Sequence, residues 1–249
     1  MKTVLVIAGF DSGCGAGAAR DLAVLSTLGC TARVALTAVT AQTDRKVTAC
    51  QIVAPALLSA QITAAFDAGP VDAVKIGMLG GADTVAAVVA ALPRGIPVVL
   101  DPVLAASSGA ALLDKPGREA LIASLLPLAT VVTPNLPEAA LLTGRPPARD
   151  DKERTRQAKA LLALGAGAVL LKGGHDDGED ACDWLFSAAG MRTFHAPRQG
   201  RTRRGTGCTF ASALAAALAN GVPLDRAARD AKAVTAAYIS DCSEPQADP

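Results

Sequence analysis

Short runs of β-branched and aliphatic residues alternate along the chain with longer segments rich in alanine and leucine. The runs at 3–8, 32–38, 71–76, 97–101, 130–133 and 168–172 predict strands. Several are apolar throughout, as strands covered on both faces must be. The segments between them predict helices over 16–28, 55–67, 82–92, 117–126, 137–143 and 152–164. Such alternation implies βαβ units and a mostly parallel sheet. After Gly174 the rhythm changes. Residues 181–186 and 191–196 read as a hairpin around Ala188-Ala189-Gly190, and helices follow at 207–219 and 224–240. No repeat or linker interrupts the pattern, so residues 1–242 are expected to form a single α/β domain. The patternless stretch 243–249 is expected to fray.

Composition narrows the partners. A chain of 249 residues can bury a substantial core, and 51% hydrophobic with 19% charged residues excludes a disordered tail, a collagen and a coiled coil. A net charge of +1 supplies no field for nucleic acid or a membrane surface, and 3% aromatic residues leave few stacking platforms. A small molecule is the expected partner. Six cysteines without a C-x-x-C pair, and only His175 and His195, argue against a disulfide scaffold or a zinc site, and for reduced thiols in the cytoplasm. The apolar run after Met1 is short and meets Asp11 before any cleavage site, so a buried strand is expected rather than a signal peptide. The charge-free stretches 47–66, 120–137 and 205–224 carry Pro, Gln or Asn, and no transmembrane segment is expected.

Ligands of open α/β sheets collect beyond the carboxyl ends of the strands, so the residues following each strand carry the chemistry. After the first comes Gly9-Phe10-Asp11-Ser12-Gly13-Cys14-Gly15-Ala16-Gly17, which matches neither G-x-G-x-x-G nor the Walker pattern. Its glycines suit a tight turn, and with Asp11 and Ser12 they suit substrate contact better. Asp101-Pro102-Val103 and Thr133-Pro134-Asn135-Leu136-Pro137-Glu138 follow later strands. Asp101, Asn135 and Glu138 can hold hydrated magnesium, and Asn135 with Glu138 can equally cap a helix; spacing does not separate the two. Lys172, at the head of Lys172-Gly173-Gly174-His175, suits a phosphate contact with glycines allowing close approach. Gly205-Thr206-Gly207-Cys208 opens a helix, where unpaired amides and the dipole make an anion hole. Arg198, Arg201, Arg203 and Arg204 precede it, and Cys208 in the first turn is expected to have a lowered thiol pKa.

These motifs together resemble the hydroxymethylpyrimidine/phosphomethylpyrimidine kinase family of thiamin biosynthesis, within the ribokinase-like superfamily. The resemblance rests on Gly9 to Gly17, Thr40-Ala41-Gln42, Val74-Lys75-Ile76-Gly77-Met78-Leu79, Asp101-Pro102-Val103, Thr133 to Glu138, Lys172 to His175 and Gly205 to Cys208. All fall in the family's order, over about residues 3 to 240. It implies a three-layer αβα sandwich with a mostly parallel central sheet, ATP and Mg²⁺ as cofactors, and a homodimer.

By position, the resemblance implies that Gly205, Thr206, Gly207 and Cys208 are catalytic, with Cys208 as the base. It places Asn135, Asp101 and Lys172 at the nucleotide, and Glu138 and Asp101 at the metal. Gly9, Asp11, Asp21, Gln42, Met78 and Val103 would bind substrate, Gln42 offering an amide to the pyrimidine. The sequence departs from the family at Phe10, Cys14, Ser107 and Arg203-Arg204, and the extra arginines would suit a substrate that already bears a phosphate. The implied reaction moves the γ-phosphoryl of ATP to 4-amino-5-hydroxymethyl-2-methylpyrimidine and then to its monophosphate. Rival readings are a pyridoxal kinase, a kinase lacking the second phosphorylation, and a non-catalytic ligand sensor. Segment 198–204 has the composition of a lid.

Overall fold

A computed structural model of the chain describes residues 1–106, 108–174, 180–199 and 203–241. Its strands are β1 (Thr3–Asp11), β2 (Thr31–Gln42), β3 (Val47–Ile52), β4 (Ala73–Ile76), β5 (Val98–Leu100), β6 (Val131–Val132), β7 (Val169–Lys172), β8 (Asp180–Ser187) and β9 (Gly190–Pro197). They form one sheet in the order β3-β2-β1-β4-β5-β6-β7-β8-β9. The six strands from β2 to β7 in that order pair in parallel, and β3, β8 and β9 join antiparallel at the two edges. Because β1 lies between β2 and β4, the sheet changes its direction of growth there, and a crevice opens beyond the strand ends.

The helices are α1 (Gly17–Thr27), α2 (Pro55–Asp67), α3 (Ala82–Ala91), α4 (Lys115–Ala120), α5 (Leu136–Thr143), α6 (Asp151–Ala163), α7 (Thr206–Ala219) and α8 (Leu224–Ser240). Alternation of side chains along the strands divides the core in two. Leu5, Ile7, Val74 and Ile76 face α2 to α6 on one side. Val4, Val6, Ala8 and Ala73 face α1, α7 and α8 on the other. This is the expected three-layer sandwich. Fully buried aliphatic side chains such as Leu58 and Ile62 each stabilise it by about 1.5–3 kcal/mol.

Two features were not expected. β2 runs on to Gln42, and β3 pairs with its far end. All of β3 after Val47 is exposed, so it has neither the alternation nor the apolar run that marks a strand. After α4 the chain winds through a π turn at 121–125 and a 3₁₀ turn at 126–128, where Pro127 has no amide for a regular helix. The hairpin of β8 and β9 is held at its base by Asp183, which accepts from Gly173 N at 3.0 Å and pairs with Lys232 of α8 at 2.8 Å. The expected tail at 243–249 lies outside the described residues, as do Ser107, His175 and Arg201. Among the described residues no helix is long and apolar enough to cross a membrane.

Candidate active site

A cavity of about 880 Å³ opens along the carboxyl ends of β1, β4, β5 and β7, beside the start of α7. Its lining includes Gly9, Asp11, Gln42, Met78, Asp101, Val103, Asn135, Glu138, Lys172 and Gly205 to Cys208. Thirteen of the fourteen residues expected at the site therefore meet here, although they are spread along the chain from Gly9 to Cys208.

 Folding closes such gaps directly: Arg204 lies against Asp11 across 193 positions of sequence.

The glycine-rich loop after β1 is built around Asp11. One oxygen of its buried carboxylate accepts from Gly13 N at 2.9 Å, and the other accepts from Ala16 N at 3.0 Å and pairs with Arg204 at 2.7 Å. A side chain at Gly9 would meet Met78 Sδ at 2.7 Å, and one at Gly17, where φ is +60°, would strike the Gly9 carbonyl oxygen. Both glycines are therefore required by close approach. Cys14 adopts φ of +54°, a left-handed conformation that favours glycine.

At the other wall, Gly205 has φ of +76°, and a Cβ there would collide with the Gly15 carbonyl oxygen. No side chain caps α7, so its first amides face the cavity. A Cβ on Gly207 would come within 3.4 Å of both Asp101 Oδ2 and Lys172 Nζ, which places that ion pair at the mouth of the helix. Lys172 Nζ lies 2.9 Å from Asp101 Oδ1. Burial opposes the charge on Lys172, but Asp101 and Glu138 hold the ammonium above its ordinary pKa. Burial pushes the Glu138 carboxyl up to about 7, with Asp101 adding to the rise and Lys172 opposing it.

Several expectations need correction. Asp21 does not line the cavity: it is fully buried, 2.7 Å from Lys75 and accepting from Ser212 at 2.8 Å, because α1 turns it inward. The Cys208 thiol is pushed up to about 11 rather than lowered. Burial outweighs Lys75 and the Gly17 amide, while Asp21 and Asp101 reinforce the rise. Of the glycines after Lys172, Gly174 lines the cavity, whereas Gly173 faces inward, where a Cβ would strike the Cys182 carbonyl and come within 2.5 Å of the Trp184 ring. Of the two readings left open for Asn135 and Glu138, the capping one is met: they form the full capping box of α5, with bonds of 2.7 and 2.8 Å.

Arg203 and Arg204 line the cavity and at the same time make contacts within the protein. Arg204 bridges Asp11 and Asp44, both at 2.7 Å. Arg203 donates to the Tyr238 carbonyl at 2.5 Å and lies 3.8 Å from the centre of that ring, while Arg20 lies 3.6 Å from the same centre. The Tyr238 hydroxyl donates to the Arg204 carbonyl at 2.8 Å. Of the segment expected to resemble a lid, 200–202 lies outside the described residues.

Sequence reasoning gave Lys75 no role. It lines the cavity floor although its side chain is fully buried. A lysine inside the apolar run Ala73-Val74-Lys75-Ile76 was the available signal.

A family model described as phosphomethylpyrimidine kinase matches residues 11–247. The hydroxymethylpyrimidine/phosphomethylpyrimidine kinase of Rhizobium meliloti is 50% identical, over 95% of this chain and 90% of its own length. Among solved structures, a phosphomethylpyrimidine kinase from Clostridium difficile superimposes with a TM-score of 0.82 at 34% identity, covering 97% of this chain and 99% of that one. A pyridoxal kinase from Bacillus subtilis, solved as an ADP complex, gives 0.88 at 31% identity, covering 99% and 94%.

Proposed function

The chain belongs to the phosphomethylpyrimidine kinase family, and on that premise we propose that it transfers the γ-phosphoryl group of ATP to 4-amino-5-hydroxymethyl-2-methylpyrimidine and then to the monophosphate formed. The observation that carries the reading is the uncapped start of α7, which turns its amides and Cys208 into the cavity beside Lys172 and Asp101.

In the first turnover the alcohol oxygen bonds to the γ-phosphorus as the bond to the β-γ bridging oxygen breaks, and ADP leaves. The Cys208 thiol first gives up its own proton to solvent through the cavity, and the resulting thiolate takes the alcohol proton. A loose transition state releases that proton late, when the conjugate base of a thiol near 11 accepts it readily. Amides at the head of α7 receive the charge on the moving group, and Lys172 can exchange Asp101 for a phosphate oxygen. In the second turnover a phosphate oxygen of the monophosphate is the nucleophile. Gly9, Gln42, Met78 and Val103 line the remaining space as walls for the pyrimidine ring.

Asp101 and Glu138 suit Mg²⁺, which takes one or two carboxylates and completes its shell with water and phosphate. A buried carboxyl whose ionisation is opposed by burial and by the neighbouring Asp101 fits a corner that takes a cation. When bound, the metal supplies neutralisation of phosphate charge. Asn135 serves through the cap, by holding Glu138 at the head of α5. A homodimer in the cytoplasm belongs to the same reading and rests on family membership alone.

The test is incubation of purified protein with Mg-ATP and the pyrimidine alcohol, with mono- and diphosphorylated products resolved by mass and pyridoxal run in parallel. Both pyrimidine products are expected. Preferential turnover of pyridoxal would overturn the assignment of the acceptor, and monophosphate alone would remove the second step. Cys208→Ala is expected to leave ATP binding intact while kcat falls by about a hundredfold. Equal turnover would remove Cys208 from the chemistry.

A further inference from the structure

One buried cation stands next to this chemistry without a part in it. Lys75 projects from β4 toward α1 and α7, the side on which its neighbour Ala73 packs. Its ammonium lies 2.7 Å from Asp21 Oδ2, and both side chains are 0% exposed. The other oxygen of Asp21 accepts from Ser212 at 2.8 Å. Ser212 stands one turn after Cys208 on α7, so the two share a helix face. Gly77 sets the depth: a Cβ there would come within 2.8 Å of Lys75 Nζ, which shows the ammonium curled beneath the end of β4.

Stability does not account for this arrangement. A sealed ion pair gains little over apolar side chains of similar volume, because desolvation offsets the attraction. The strand residues around Lys75 on that face, Val4, Val6 and Ala8 among them, are apolar, while Asp183 farther along the sheet pairs with Lys232 of α8. Through Asp21 and Ser212 this charge is tied to the face of α7 that carries Cys208, and Lys75 and Cys208 border the same cavity. We propose that Lys75, fixed by Asp21 and Ser212, is a positioning residue for phosphoryl transfer, holding a permanent positive charge under the head of α7 that keeps the Cys208 sulfur able to accept the alcohol proton. The inference rests on the kinase reading above.

The charges around Cys208 agree with this assignment. Asp21 from α1 and Asp101 after β5 disfavour the thiolate, and Lys75 from β4 is the strongest influence in its favour, ahead of the Gly17 amide. Lys172 on β7 also interacts with the sulfur. Burial opposes the charge on Lys75 itself, but Asp21, Cys208 and Asp101 outweigh it and hold the ammonium well above the ordinary lysine range. With no solvent exposure of its side chain at the cavity floor, Lys75 acts through Cys208.

The test uses the paired variant Lys75→Met/Asp21→Asn, which removes both charges and leaves an amide oxygen for Ser212. Two readouts separate a positioning role from a structural one. The first is the division between kcat and KM: kcat is expected to fall by about tenfold or more, with the KM for ATP held within about twofold. The second is alkylation of Cys208 by iodoacetamide across pH, followed by mass on its own peptide. Its midpoint is expected to move to higher pH, with slower alkylation at every pH below it. Should the paired variant fail to fold, Lys75→Gln/Asp21→Asn keeps a hydrogen-bonded pair without charge and is expected to give the same two shifts. Wild-type kcat together with a wild-type alkylation profile would overturn the proposal while leaving the kinase reading intact. If the wild-type protein turns over neither pyrimidine, the kinase reading fails, and an unshifted alkylation profile overturns the placement of charge independently.

Discussion

Two lysine–aspartate pairs flank the start of α7. Lys75 and Asp21 meet at 2.7 Å with no exposure, whereas Lys172 and Asp101 meet at 2.9 Å with 15% and 3% of their side chains exposed. The chemistry is the same and the access is not. A sealed pair cannot change partners, so its effect is a fixed field. The pair at the cavity wall is partly exposed, so on the proposed reading it can trade an internal partner for a ligand. Residue type alone therefore does not assign a role here; depth does.

The strongest way to break this comparison is to remove each cation alone. Lys75→Met leaves Asp21 buried without a counter-charge and is expected to cost about 3–5 kcal/mol of stability. Lys172→Met is expected to cost about 1–2 kcal/mol, since water can reach Asp101 through the cavity. Urea denaturation of both variants without nucleotide measures the gap, and equal losses would erase the distinction between sealed and open. A finer separation comes from function. Lys172→Met is expected to weaken ATP binding by about tenfold to a hundredfold, the scale of a lost charged hydrogen bond, as read by calorimetry. Unchanged affinity would mean that the open pair never exchanges Asp101 for phosphate.

The smallest expected effect sharpens the open side further. Glu138→Gln keeps an amide able to complete the capping box while removing the charge beside Asp101 and Lys172. The wild-type carboxyl ionises near its ordinary value when unfolded and at about 7 when folded. Its contribution to stability is thus fully present at low pH and is lost as pH rises through about 7. The variant should match wild type near pH 4 and gain on it up to pH 8, by up to about 4 °C in Tm, the scale of about 1 kcal/mol for this size. A constant difference across that range would show that capping alone sets the worth of Glu138.

Much of the architecture was legible because the central strands are covered on both faces and write themselves as apolar runs. β3 was not, since an edge strand exposed along most of its length needs no such run. Asp101, Lys172 and Gly205 to Cys208 could be found because each directly follows a strand or opens a helix, where ligand chemistry gathers. Depth was invisible. Asp21 and Cys208 are one helix face and one helix turn away from different environments, and only packing shows that burial raises the thiol. The contacts of Arg204 were hidden for a related reason: its partner Asp44 is 160 positions distant, so no local pattern announces the pair.

The chain contains one tyrosine, and it is the ring gripped by Arg20 and Arg203 with its hydroxyl on the Arg204 carbonyl. Tyrosine chemistry consequently reports on a single known place, the doorstep of α7: protection of the phenol from nitration, followed by mass, reads its condition with no dye attached.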